Sequence, residues 1–192
     1  MLAGLVILGT VPGGSFVLSD LVAAAADGSL LVDAPAGVVP TAVGLVLLGA
    51  LTKSAQAPFH FWLPAAMAAP TPVSGYLHAA AMVKAGVYLV ARLAPGFASY
   101  QVWQVMVIGA GLTTMLIGGY RALRQYDLKL LLAFGTVSQL GLILVLVGHG
   151  DRAVALAGVT MLVAHAMFKA APFLVVGALD HEVRTRHPRA LA

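Results

Sequence analysis

The sequence predicts an all-α integral membrane protein of about six transmembrane helices, one of them discontinuous. Three observations carry that prediction. Of the 192 residues, 60% are hydrophobic and only 9% charged, whereas a soluble domain carries about 25% charged residues. Mean hydropathy is +0.96. Apolar runs long enough to cross about 30 Å of hydrocarbon, which takes about 20 helical residues, recur between clusters of glycine, proline and charge.

The runs fall at about residues 1–18, 38–63, 73–93, 102–120, 128–148 and 153–179. The first is short and interrupted at Pro12-Gly13-Gly14; it lacks a basic leading region and is followed by more spans, so it reads as a helix and not as a signal sequence. A polar segment with Asp20, Asp27 and Asp33 separates it from the second run, which contains Lys53 and Pro58. The third holds His78 and Lys84, the sixth His165 and Lys169. Alternation of sides puts Arg121, Arg124, Lys129, Arg184, Arg186 and Arg189 on one side of the membrane, and only Arg92 and Arg152 on the other. The positive-inside rule makes the first side cytoplasmic, together with the N-terminus and the proline-rich loop 64–72. A multi-pass location in the cell membrane follows.

Composition also excludes function classes. The formal charge of +4 comes without a basic stripe interleaved with aromatics, so nucleic acid is not a predicted partner. Without cysteine, disulfides, iron–sulfur clusters and thiolate metal sites are ruled out. Ser, His and Asp occur, but in separate spans or loops and without a nucleophile motif, so no catalytic residue is assigned. Asp180, His181 and Glu182 are consecutive and poorly placed to converge on one metal ion. No cofactor is predicted, although His78 and His165 would also be the candidates for axial haem ligation between two helices.

The informative feature is the set Lys53, Lys84 and Lys169, three lysines inside apolar runs that contain no carboxylate. A lysine at mid-bilayer costs roughly 2.5–3.5 kcal/mol on insertion scales, so intramembrane lysines are functional candidates by default. Desolvation weakens an amine's hold on its proton and a nearby carboxylate restores it, which makes such a lysine a proton switch that needs no covalent chemistry. Histidine can relay between such sites. His165 and Lys169 are four residues apart and share a helical face, about 6 Å apart along the axis. His78 and Lys84, six apart, diverge by about 120° around the helix.

Pro58 removes one backbone N–H and crowds the carbonyl near Ser54, which predicts a kink or break behind Lys53. Broken backbone in lipid persists where protein or a water-filled cavity supplies partners, the pattern of a discontinuous transporter helix. A simple proline kink with Lys53 snorkelling to the surface is the alternative from this segment alone. Phe61 and Trp62 then read as interfacial anchors.

Several segments resemble a known family. Lys53-Ser54-Ala55-Gln56 with Pro58-Phe59-His60-Phe61-Trp62-Leu63-Pro64, then Ala68-Ala69-Pro70-Thr71-Pro72-Val73-Ser74, His78-Ala79-Ala80-Ala81-Met82-Val83-Lys84-Ala85-Gly86, Asp127-Leu128-Lys129 with Ser138-Gln139-Leu140-Gly141, and His165-Ala166-Met167-Phe168-Lys169-Ala170 resemble the antiporter-like subunits shared by respiratory complex I and the multisubunit Mrp cation/proton antiporters. Phe59-His60-Phe61-Trp62, and Val175-Val176-Gly177 with Asp180-His181-Glu182 and Thr185-Arg186, most resemble the branch of Mrp A subunits.

The resemblance implies a partial inverted-repeat antiporter-like fold: residues 1–192 as the central fragment of a single transmembrane domain of about fourteen helices, with Lys53 at the break of the first repeat. It implies a glutamate partner for Lys53 on a preceding helix, and a proton path through Lys53, His78, Lys84, His165 and Lys169. The implied function is proton translocation in a multisubunit monovalent cation (Na⁺)/H⁺ antiporter; the alternative is a proton-pumping membrane-arm subunit of a complex I-type oxidoreductase or membrane hydrogenase. Other subunits of such a complex, the lipid bilayer, protons and Na⁺ are the implied partners. Three positions depart from the family pattern: Met161 where a second histidine is frequent, Leu130 after the Asp-Leu-Lys motif, and Pro172, which predicts a kink beyond Lys169.

Overall fold

The structure is a computed structural model. It describes residues 1–32, 34–70 and 73–183, and of residues 77–80 and 183 the backbone alone. Asp33, Thr185 and the arginines 184, 186 and 189 lie outside the described residues. Within them the chain is helical with no strand.

Three helices are continuous and long enough to span: α8 (Gln101–Leu123), α9 (Leu128–Gly148) and α10 (Arg152–Val183). At 1.5 Å per residue they run about 35, 32 and 48 Å. Their ends are set by local chemistry. The Asp127 carboxylate caps α9, accepting from the Lys129 and Leu130 N–H groups at 2.7 and 3.1 Å, and Asp151 does the same for Ala153 and Val154 at 2.9 and 3.0 Å. Each supplies acceptors to N–H groups that the first turn leaves unpaired. The helix α10 runs through Pro172 without interruption, although the ring removes one donor from its ladder.

The other apolar runs are segmented. The first is α1 (Leu2–Thr10), nine residues and about 14 Å long, against which α4 (Val38–Lys53) packs. The segment expected to be a polar connection is instead helical, α2 (Leu18–Ala26); Leu21 and Ala25, four apart, give it a buried face toward α7 (Lys84–Phe97), and this apolar spacing outweighs the single Asp20. At its C-terminal end the exposed Asp27 accepts from the Ser29 N–H at 2.9 Å, and hydrogen bonds from Ser29 hold its carboxyl below the usual carboxylate range. One turn, α3 (Ser29–Val32), follows.

The second run begins as α4 (Val38–Lys53) and stops at Lys53. The chain becomes helical again only in short turns: a 3₁₀ turn at Phe59–Phe61, α5 (Trp62–Ala65) and a second 3₁₀ turn at Ala66–Ala68. The third run is likewise divided, into a π-helical segment α6 (Ser74–Ala81) and α7 (Lys84–Phe97).

The best-buried spanning helix is α9, packed against α8, α10 and α7. It meets α8 backbone to backbone: a Cβ on Gly141 would lie 2.6 Å from both the Gly111 carbonyl oxygen and the Met115 nitrogen. Small residues allow this approach, which is the main source of helix affinity where lipid and side chains are equally apolar. The Ser138 hydroxyl donates to the Met115 carbonyl at 2.8 Å across the same contact, and the indole of buried Trp103 donates to the Gly148 carbonyl at 2.8 Å.

Candidate functional site

Burial singles out the intramembrane bases. In α10 the buried positions Gly158, His165, Lys169, Phe173 and Val176 form one narrow stripe, while Leu156, Val159, Val163, Met167, Phe168, Leu174 and Val175 are exposed. Steps of seven, four, four and three residues are one helical face. The two most polar residues of the helix middle therefore face protein, not the apolar outer surface. In α7, Lys84 begins a comparable buried face with Val87, Val90, Leu93 and Phe97. Lys84, His165 and Lys169 are all less than a tenth exposed, and they lie within range of one another's charge.

The Lys169 amine crosses to α9. It sits 3.4 Å from the Leu132 carbonyl oxygen, which also accepts from the Thr136 hydroxyl at 2.9 Å, and 5.7 Å from the centroid of the Phe168 ring. Gly135 makes room for it: a Cβ there would be 3.1 Å from the amine nitrogen. Neither ring nitrogen of His165 has a hydrogen-bond partner among the described residues, and both are buried. Burying such groups unpaired costs about 1–3 kcal/mol.

Lys53 is placed differently. It ends α4 at the break, as expected, but is exposed and opens with Thr52, Trp62, Leu48, Gly49 and Met82 onto a groove of about 450 Å³. His78 lies on α6, which packs along α10; its side chain falls outside the described residues. The structure thus gathers Lys84, His165 and Lys169, and leaves Lys53 on a separate, open face.

The break itself is lined with polar groups. The Ser54 and Gln56 side chains are fully buried. Ser54 donates from its N–H and its hydroxyl to the Ala50 carbonyl at 3.0 and 2.7 Å, and the Gln56 N–H returns to the Leu51 carbonyl at 3.0 Å. Ala55 takes a positive φ of 52° to make the turn. The first N–H beyond the turn, that of Ala57, donates to the Thr114 hydroxyl of α8 at 2.7 Å. The Trp62 indole donates to the Thr52 carbonyl at 3.1 Å, so Trp62 braces the break and is not merely an interfacial anchor. Gly86 sits opposite, where any side chain would overlap Ala50 and Ser54; this close approach holds Lys84, two residues earlier, near the break.

Two participants escaped the sequence reading. Thr114 carries no signal of its own in an apolar helix. Lys129 counts with the basic residues of one membrane side while lying at the start of the expected run 128–148; the Asp127 cap starts α9 at Leu128, so Lys129 belongs to its first turn, and it is 1% exposed. Its amine donates to the Ala69 carbonyl. A buried polar contact 60 residues distant in the chain leaves no trace in local pattern. No group of three His, Cys, Asp or Glu side chains gathers among the described residues.

Comparison with known proteins fixes the family. A profile of the NADH:quinone oxidoreductase/Mrp antiporter transmembrane family matches residues 1–191. The chain belongs to this family. It is 52% identical over 191 residues to the probable K⁺/H⁺ antiporter A/B subunit of Rhizobium meliloti, covering all of this chain and 18% of that protein. It is 53% identical over 161 residues to the Na⁺/H⁺ antiporter A subunit of Alkalihalophilus pseudofirmus, 77% of this chain and 20% of the relative. Among solved structures it is similar to the Mrp complex from a Dietzia species, with a TM-score of 0.83 and 41% identity over 96% of this chain and 20% of the other. The membrane-bound sulfane sulfur reductase, an archaeal respiratory membrane complex, matches with the same TM-score at 25% identity, covering 98% of this chain and 38% of that one. The chain thus spans about a fifth of the length of the antiporter relatives it matches. As a family member it is a multi-pass, all-α membrane protein, with its helix broken behind Lys53.

Proposed function

We propose that the chain is the central part of a longer subunit of a multisubunit monovalent cation/proton antiporter, with Na⁺ as the exchanged cation, and that it carries protons along a hydrated path through Lys53, His78, Lys84, His165 and Lys169. The observation that carries this reading is the burial of Lys84, His165 and Lys169 between α7, α9 and α10, with both His165 nitrogens unpaired among the described residues. Amines and an imidazole within each other's field exchange protons when a neighbouring charge moves, because each protonation changes the cost of the next. Relatives named as antiporter A and A/B subunits support the exchange of a cation for protons. Other antiporter subunits in the cell membrane are the proposed partners. The N-terminus and the C-terminal end of α8, with Arg121 in its last turn and Arg124 just beyond, face the cytoplasm in this reading.

The test is exchange in vesicles carrying the intact complex. Lys84→Ala or Lys169→Ala should abolish cation-driven proton movement while the complex still assembles; wild-type rates in both variants would sink the proposal. The similarity to an archaeal respiratory complex favours a second reading, a proton-pumping membrane arm driven by redox chemistry. Co-purification with redox subunits decides for it.

A further inference from the structure

Lys129 is a buried charge that the proton path does not use. It is 1% exposed, and it sits in the first turn of α9, the positive end of the helix dipole, where a cation is disfavoured. Burying an ammonium is costly unless acceptors receive its protons. Helix stability therefore does not account for a lysine at this position, and Asp127 already caps the turn.

What the amine holds is informative. Its acceptors include the Ala69 carbonyl, in the connector between the broken helix and α6. That connector, from Phe59 to Pro70, is one short run of alternating 3₁₀ and α turns that ends at Ala68, and a helical run this short is marginal without packing partners. One end is braced by the Trp62 indole on the Thr52 carbonyl. At the other end the chain leaves the Ala66–Ala68 turn at Ala69 in an extended conformation, φ −65° and ψ 158°. The next carbonyl, that of Pro70, receives the Ser74 N–H that begins α6. Lys129 thus grips the residue directly before the carbonyl on which α6 is started. Both α5 and the Ala66–Ala68 turn also pack against α9.

We propose that Lys129 is a positioning residue for proton transfer: by donating to Ala69 it fixes the connector on α9, and so sets where α6, with His78, begins relative to the break at Lys53. It acts as a hydrogen-bond donor and not as a proton carrier. The proposal rests on the proton-path reading above for its effect on transport, but its structural half does not.

The test uses the intact complex, with spin labels on the exposed residues Ala65 of the connector and Leu131 of α9. Lys129→Met keeps the chain's bulk and removes the donor; it should broaden the label distance distribution and lower maximal exchange about tenfold or more, the scale set by ångström misplacement, with the cation KM unchanged. Lys129→Arg keeps donors and cannot release a proton at working pH; it should keep a narrow distribution and most of the exchange. Lys129→Gln, a shorter neutral donor, serves if the Met variant fails to assemble, with a distribution between the other two. An Arg variant as inactive as the Met variant overturns the proposal in favour of a proton carrier, and a distribution unchanged in both Met and Gln variants overturns it outright. If Lys84→Ala exchanges normally the path reading fails, while the distance measurement still tests the clamp.

Discussion

The helices α8 to α10 and the stretch from α4 to α7 solve the same problem in opposite ways. Each of the first group satisfies its backbone internally, in one continuous run. The second group stops at Lys53, again after Ala68 and around Ala81, and must find partners for what it leaves unpaired. Many of those partners lie within the broken stretch itself, such as the Ala50 and Leu51 carbonyls that receive the Ser54 and Gln56 N–H groups, and the continuous helices add two more: Thr114 of α8 receives the Ala57 N–H, and Lys129 of α9 donates to Ala69. Irregular backbone at membrane depth is tolerated only where protein or water serves it. The regular half, as a template, thus supplies acceptors and donors against which the irregular half, with Lys53 and Lys84, is laid out, and it contributes His165 and Lys169 from α10.

The strongest way to break this division is to damage the template. Gly141→Leu forces a side chain into backbone atoms of Gly111 and Met115 that cannot move aside, so α8 and α9 must separate. Overpacking of this kind costs typically 1–3 kcal/mol, and here about 3 kcal/mol or more because the obstacle is main chain. Less assembled complex and a lower thermal midpoint should follow in the intact protein, measured by fluorescence-detected size exclusion after heating. Unchanged assembly would mean that the close contact is not what holds the template.

A smaller effect is expected where the template meets the break. In Thr114→Val the shape is kept and the acceptor lost, leaving the buried Ala57 N–H without its hydroxyl. An unsatisfied buried donor costs about 1–3 kcal/mol. Thr114→Ser should restore most of it, since it returns the oxygen without the methyl; equal loss in the Ser and Val variants would point to packing instead. The measurement is the thermal midpoint of the intact complex, with exchange at the permissive temperature as a second readout.

The difference between the halves also explains what the sequence disclosed. The long helices and the break behind Lys53 were legible because apolar run length and proline act locally. Lys84, His165 and Lys169 stood out in the sequence because an ionisable residue in an apolar run is conspicuous whatever it touches. The helix α2 was not, since a single Asp20 obscured the short Leu21 and Ala25 face, and nine residues give little periodicity to read. Lys129 fell inside the expected run 128–148, but its burial was not legible, because nothing near it in the sequence signals the Ala69 carbonyl that it reaches. Thr114 was invisible: a threonine that serves a neighbouring helix looks like one that bonds its own backbone, and this one does both. Partner-dependent roles are set by tertiary contact, and no local signal encodes them.

The mildest prediction separates bracing from packing at the break. Trp62 is half-buried against α4, and its indole donates to the Thr52 carbonyl at 3.1 Å, a carbonyl that also accepts from the Ala55 N–H at 3.3 Å. Trp62→Phe removes the donor and part of the ring. Because the carbonyl keeps its second donor, no acceptor is stranded, and the net loss should be only the bond itself, about 0.5–1.5 kcal/mol, plus a little packing. The visible consequence is local: a thiol placed at Thr52, beside the groove that Lys53 lines, should react faster with a water-soluble maleimide when Trp62 is replaced by Phe, while exchange falls less than in Thr114→Val. An equal or larger fall in exchange would move Trp62 from a brace of the break to a part of the path, since Lys53 is the ionisable residue nearest to it along that groove.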